Sequence, residues 1–466
     1  MKERKMSKKS LLVVLLIGVL ATLVVAPAAA QDKVQVTWFV GLGTGTNEQQ
    51  IEAENQVVAD FNASQDEIEL VINIAASNET APDLFSTLVA GGTPPDIVGP
   101  VGVGGSNQFA DQWLDLQPLV DATGYDLSVY DPALVELYKT ADGELLGIPF
   151  AVFPSITYYN PGLFDEAGLN YPPQAFDEMY VMPDGTEVEW NYETAAEIAK
   201  ILTVDANGND ATSADFDPSA IEQFGLNFQW ARMRLMWTDI QPEDWYDEAA
   251  NKVSIPESWR TATQWLQDAV WKDHFIPNTT YDSSEAFGSG NAYQSGKLAM
   301  AITPLWYTCC LGESVGKFEW DFGVVPKSLD GEYHVATDAD TFRLTKSGTN
   351  QEAAFTVLQY LLNEAVPVLA PTYGAFPARP EYQQDWIDTK AAQFDWGVNW
   401  QVAVDSLAYN VPGNMHHESN VPNYGKATDR VFAFQTALFG DGGGDLDVNA
   451  ELDKLETEVQ AIIDGS

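Results

Sequence analysis

The chain has 466 residues and a formal net charge of -45, enough chain for two or three domains or for two lobes of one machine. Such a charge repels nucleic acid and anionic membranes and opposes a highly anionic ligand unless a local site overrides it. Hydrophobic content of 45% with 14 Trp supplies a large core, and the only cysteines are the neighbours Cys309 and Cys310, which staple no distant elements and lack the C-x-x-C metal spacing.

Lys2, Arg4, Lys5, Lys8 and Lys9 precede an apolar run, Leu11–Ala26, and then Ala28-Ala29-Ala30 before Gln31. A basic start, an apolar run and an A-x-A site make residues 1–30 a secretory signal peptide. The run is short of the ~20 residues of a membrane span. No cysteine near the cleavage site offers a lipid anchor, so the mature protein is expected to be soluble in the periplasm or outside the cell. Export leaves Cys309 and Cys310 as buried thiols, a vicinal disulfide or an intermolecular bond; buried thiols are the expectation.

Lys33–Val40 and Ile68–Ile74 read as strands around a helix at Glu48–Asn62, where Ile51, Val57, Val58 and Phe61 keep helical spacing. That order implies a parallel crossover. The glycine loop Gly41–Asn47 lacks the Walker lysine and the dinucleotide spacing, so it is expected to face a cleft rather than hold phosphate. A helix at Asp83–Ala90 leads into Thr93–Val98 and a glycine-rich loop, Gly99–Asn107, with Trp113 beyond it as a core residue.

Asp142–Phe164 is the pivot. Asp142-Gly143 favours a reversal, Leu145–Ile148 is an apolar strand, and Pro149 and Pro154 bracket Phe150–Phe153. Proline donates nothing to a sheet ladder, so an extended connector is expected there, with a strand resuming at Ser155–Tyr159. This is the pattern of a chain crossing from one α/β unit to another. Beyond it, Pro183–Gly185 predicts a hairpin, Tyr192–Leu202 and Ile255–Trp271 helices, and Phe224–Phe228 a strand. The acidic run Asp205–Asp210 fails the calcium-loop pattern, since Phe216 holds the twelfth place, and reads as a turn. Asn350–Asn363 and Val448–Ile463 are amphipathic helices, and Gly442–Gly444 is a flexible turn.

Gly143, Leu145, Gly147 and Pro149, then Tyr158-Tyr159-Asn160 and Leu163, Phe164, Ala167, Gly168 and Leu169, resemble the hinge segment of the extracellular solute-binding proteins of ABC importers, the maltose-binding-protein-like carbohydrate-binding family 1. AGGTPPDIV at 90–98, TATQWLQDAV at 261–270, SGKLAM at 295–300, Trp306, FEWDFGVVP at 318–326, and Gly374, Pro377, Ala378 and Arg379 are similar to further motifs of that family. The resemblance implies an α/β, two-lobe periplasmic-binding-protein-like fold (type II) with three hinge crossings and a ligand cleft between the lobes. Lobe one is expected at 31–148 and 306–340, lobe two at 157–299 and 347–466, and the crossings at 149–156, 300–305 and 341–346. It also implies a monomer that captures a sugar or oligosaccharide and delivers it to membrane permease subunits, with no cofactor, no metal and no nucleic acid.

Sugars present hydroxyl edges and apolar C–H faces, so a sugar site pairs aromatic platforms with polar groups. By position Trp230, Trp306, Tyr373 and Phe376 fit the first need, with core packing as the competing role of each. Asn47, Gln229, Asp338, Asp340 and Arg379 fit the second, Arg379 alternatively pinning its own loop through a carboxylate. A peptide- or polyamine-binding relative suits the acidic field. A secreted glycosidase is the enzyme alternative, but the chain has no G-x-S-x-G elbow and no H-E-x-x-H, and His416-His417 is adjacent rather than spaced for one helix face.

Overall fold

The structure is a computed structural model that describes residues 33–140, 142–231, 233–410 and 421–465. The signal peptide, its cleavage site and His416-His417 lie outside the described residues. The fold is built on one mixed ten-stranded sheet. Strand β1 (Val34–Val40), helix α1 (Glu48–Ser64) and β2 (Ile68–Ile74) make the expected parallel crossover, in register from Val34–Ile68 to Val40–Ile74. Asn47 starts α1 with a capping box: its side chain accepts from the Gln50 N–H, and the Gln50 side chain bonds back. Helix α2 (Ala81–Ala90) leads to β3 (Ile97–Val101), parallel to β1. Asp96 of the TPPDIV motif fixes that join, its Oδ2 accepting from the N–H and hydroxyl of Thr37, each at 2.8 Å. Both faces of this half are covered, one by the main core and the other by a cluster of Phe39, Phe85, Val98, Phe109 and Trp113, as a parallel arrangement requires.

The glycine-rich stretch after β3 is not an open loop. Val103–Gln108 winds into a short helix, α3. Its lead-in Gly102 lies so close to Gly43 that a Cβ on Gly43 would sit 2.8 Å from the Gly102 N. Two backbones meet there because neither residue has a side chain.

The expected proline-bracketed connector is a central strand, β4 (Ile148–Tyr159), buried along its whole length. Its first part pairs antiparallel with β8 (Thr337–Leu344) and with Phe376–Pro377. Its second part pairs with β6 (Leu298–Pro304) and with β7 (Asp321–Gly323). The prolines are tolerated because each sits where pairing is already interrupted: Pro149 beside the irregularity between Asp340 and Thr341 of β8, and Pro154 immediately before β4 changes partners at Ser155. One strand thus belongs to both halves of the sheet. The second half continues through β6 to the parallel β5 (Ile221–Asn227) and ends on Val204–Asp205. Helices α4 (Tyr192–Ile201), α5 (Met233–Ile240) and α6 (Glu257–Trp271) pack in this half.

In two places the packing runs across the expected lobe boundaries. Within 306–340, expected in lobe one, Thr337–Asp340 lie in β8 beside the first half, whereas β7 pairs with the second part of β4 and the Val324 N–H donates to Pro173 O at 2.8 Å. Its partner is the free edge that β6 leaves on β4. Residues 347–466 were assigned to lobe two, yet α7 (Gln351–Leu362) packs on β1 and β8, and α8 (Val366–Tyr373) packs on α1. The apolar face of α7 finds its cover where β8 ends, on the first half; the Tyr360 ring packs at a tilt against Phe61, 5.0 Å between ring centres. Helix α9 (Tyr424–Phe439) touches both α3 of the first half and α5 of the second, and α10 (Val448–Ile463) packs on α6 and α9. The turn at Gly442–Gly444 is packed rather than loose: a Cβ on Gly444 would lie 2.9 Å from the Trp271 Cβ.

Asp205 forms a closed turn. Its carboxylate accepts N–H bonds from Asn207, Asn209 and Asp217. Desolvation opposes ionisation there, but these donors outweigh it and hold the carboxyl down at about 2. Among the described residues no group of His, Cys, Asp and Glu is arranged to hold a metal ion.

Candidate functional site

A cavity of about 850 Å³ lies where the two halves of the sheet meet. The β1–α1 loop, α3 and β8 line it from the first half; Trp230, Met233, Arg234, Leu235 and α9 also line it, and Trp306 lies beside Asp338 of β8. In β8, Asp338 and Asp340 flank the buried Ala339, so the strand's two-residue period turns both carboxylates to the cavity. Trp306 opens the 3₁₀ turn Leu305–Cys310 that follows β6, and its indole N–H donates to Asp338 Oδ2 at 2.7 Å. That bond fixes the ring plane at the cavity wall.

Trp230 is 47% exposed, and its φ of 57° is unusual for a bulky residue. Its N–H is anchored to Gly290 O at 2.7 Å, and its ring meets Tyr307 edge-on at 5.3 Å. Burial of the neighbours and these two contacts hold a large apolar ring against solvent. Tyr373, at the end of α8, reaches the cavity floor and donates its hydroxyl to Glu54 Oε1 at 2.7 Å. Burial pushes the Glu54 carboxyl up to about 8, with the Tyr373 bond opposing that rise.

Of the residues picked from sequence, the structure brings Asn47, Trp230, Trp306, Asp338, Asp340 and Tyr373 to one cavity. Asn47 does so at the capping box, with its carbonyl oxygen committed to the Gln50 N–H. Gln229, Phe376 and Arg379 are not in the cavity lining. Gln229 is fully buried behind Trp230, where its side chain bonds Gly290 O and the Tyr293 N–H. Phe376 is fully buried, pairs with Val152 and packs edge-on against Trp386. Arg379 pins its own loop: it bonds the side chains of Asn363 and Glu381 and lies over Tyr382. The G-x-x-P-A-R match therefore marks a packing motif in which only the flanking Tyr373 reaches the cavity.

Sequence reasoning missed Gln50, Asn78, Glu79, Arg234, both cysteines and the whole α9 wall of Tyr424, Thr428, Asp429, Phe432 and Gln435. The α9 residues do recur at helical spacing, which was the available signal. Gln435 ties this wall to α5, its Oε1 accepting the Met233 N–H at 2.8 Å. The expectation of buried thiols is overturned: Cys309 and Cys310 are joined as a disulfide and line the cavity. Charge in the described lining is lopsided, with Glu79, Asp338, Asp340 and Asp429 against Arg234. Desolvation lowers the pKa of that arginine, whose guanidinium lies over Trp245 and Tyr424.

The chain is similar to several known proteins. It is 28% identical over 160 residues to the sn-glycerol-3-phosphate-binding periplasmic protein UgpB of Rhizobium meliloti (strain 1021), covering 32% of this chain and 36% of that one. It is 23% identical over 287 residues to a binding protein of Brucella abortus (strain 2308), covering 60% and 61%. The alignments thus span about a third and about three fifths of those relatives. Its fold is similar to that of the ABC substrate-binding protein Lmo0181 from Listeria monocytogenes in complex with cycloalternan, with a TM-score of 0.71 at 19% identity over 93% of this chain and 99% of that one. It is also similar to the maltose/maltodextrin-binding domain MalE from Bdellovibrio bacteriovorus bound to maltotriose, with a TM-score of 0.65 at 16% identity over 93% and 99%. These likenesses show the two-lobe type II binding-protein fold, in which β4 is shared by both lobes and the cavity lies between them. The family model for bacterial extracellular solute-binding proteins matches residues 45–366, more than half of the sequence, and the chain belongs to that family.

Proposed function

We propose that the protein captures a neutral sugar or oligosaccharide in the cavity between its lobes and delivers it to the permease of an ABC transporter. The observation that carries this reading is that Trp230 and Trp306 line one cavity with Asp338 and Asp340, with Trp306 bonded directly to Asp338. Indole faces suit the C–H faces of a pyranose, and carboxylates accept from its hydroxyls. The cavity volume suits a small-molecule ligand. Of the named solved neighbours, one is in complex with cycloalternan and the other is bound to maltotriose. A phosphate ester such as glycerol 3-phosphate is disfavoured, because four described carboxylates line the cavity beside one arginine. The same carboxylates make a cationic solute such as a polyamine the second reading.

Asn47, Trp230, Trp306, Asp338, Asp340 and Tyr373 are the proposed ligand contacts. Ligand bound by both lobes favours a closed form, since only that form makes both sets of contacts. The protein acts as an exported monomer, cleaved after Ala30, and as a receptor rather than an enzyme. Calorimetric titration of the purified mature chain with neutral oligosaccharides, spermidine and glycerol 3-phosphate tests this. Sugar binding is expected, and at about 100 times the dissociation constant it should add roughly 2.7 kcal/mol of stability. Binding of spermidine with no sugar binding selects the second reading. Turnover of a chromogenic glycoside would show an enzyme instead.

A further inference from the structure

The turn Leu305–Cys310 buries Leu305, Tyr307 and Thr308 and exposes Trp306, Cys309 and Cys310 to the cavity. Trp306 and Cys309 lie three residues apart, which a 3₁₀ turn stacks on one face, and the Cys309–Cys310 bond joins Cys310 to them. The turn is held from both lobes. Gly374 ends α8 with a φ of 67°, and a Cβ there would lie 2.9 Å from Trp306 O and 3.0 Å from Cys309 N. That close approach belongs to the first-lobe side. On the other side, Asn291 Nδ2 donates to Cys310 O at 3.4 Å, Asn291 Oδ1 accepts the Tyr307 hydroxyl, and the Tyr307 ring meets Trp230.

A pair of free thiols would present mobile S–H donors able to ionise. The disulfide instead presents two joined, polarisable sulfurs with no donor and no charge at any pH. Next to it, Trp306 is already fixed by its bond to Asp338. The result is a continuous apolar surface beside the carboxylates of Asp338 and Asp340. Sulfur of this kind packs favourably against apolar and aromatic groups.

We propose that the Cys309–Cys310 disulfide is a ligand-contacting wall of the cleft, continuing the Trp306 platform so that it meets the C–H face of a neutral saccharide. This deepens the saccharide reading and rests on it. The disulfide sets specificity by excluding cationic groups at this place, where the surrounding carboxylates alone would invite them.

The test uses the purified mature chain in three arms. Unfolding in iodoacetamide without reductant should give no adduct; two adducts per chain overturn the proposal. Reduction with tris(carboxyethyl)phosphine follows: the phosphine gives two electrons, the S–S bond breaks, the sulfurs take up two protons, and the phosphine gains oxygen from water. It should proceed with circular dichroism of the fold unchanged; a bond that resists until the chain unfolds is no cavity wall. Finally, maltotriose and mannotriose are titrated into the oxidised chain, the reduced chain and the double variant Cys309→Ser, Cys310→Ser. Affinity for whichever trisaccharide binds the oxidised chain should fall roughly two- to tenfold on reduction and in the variant, and saturation with it should slow reduction. Equal affinities and unprotected reduction overturn the contact. If no neutral oligosaccharide binds the oxidised chain, the saccharide reading fails, and with it this contact, whatever the first two arms show of the bond itself.

Discussion

Glu54→Gln isolates one electrostatic liability beneath the cavity. Glu54 is fully buried on α1, takes the Tyr373 hydroxyl on Oε1, and keeps Oε2 buried without a partner among the described residues. Desolvation raises its carboxyl from 4.5 to about 8 against the opposing Tyr373 bond. The folded chain therefore holds a proton that the unfolded chain has released between those values. Stability contributed by this group is full below about pH 4.5 and is lost as pH rises toward 8. At 1.36 kcal/mol per pH unit, the loss has an upper bound of about 5 kcal/mol, and structural relaxation trims it to a few. Glutamine has nearly the same shape, still accepts from Tyr373, and carries no titrating proton. Urea unfolding of both proteins at pH 4.5 and pH 8 should show the variant gaining on the wild type by a few kcal/mol at the higher pH. A stability difference that is the same at both values would refute the assignment of a raised carboxyl at Glu54.

Three further outcomes follow from the packing. Trp306→Ala should weaken saccharide binding roughly tenfold or more, from the ~1–3 kcal/mol of a lost anchor, with the melting temperature largely kept; a lower melting temperature with affinity intact would make Trp306 a core residue. Phe376→Ala should do the opposite, costing about 3–5 kcal/mol in chemical unfolding because the ring is fully buried, while the folded fraction binds ligand as before. Gly225→Ala places a Cβ 2.0 Å from Ala199 O, where backbone must move; thermal melts should show at least ~1–3 kcal/mol of destabilisation, and an unchanged melt would show that α4 slides freely over β5.

The local elements were legible where period and punctuation agree. The alternation in Lys33–Val40, the apolar spacing of Glu48–Asn62 and the charged amphipathic run Val448–Ile463 depend on nearest neighbours along the chain, and the structure places β1, α1 and α10 there. The family motifs carried the two-lobe plan for the same reason: they are contiguous stretches. Tertiary structure decided what contiguous stretches do not encode. Pro149 and Pro154 argued against a central strand, and only the partner switch at Ser155 shows why β4 tolerates them. Arg379 and Phe376 sit in a matching motif, but whether a side chain meets ligand or core depends on what folds over it, here Trp386 and Glu381. The cavity itself joins Asn47 to Phe432 across almost the whole chain. Adjacent cysteines specify only that a bond is within reach; the cavity beside them, assembled from both lobes, is what turns that bond into a surface a ligand can touch.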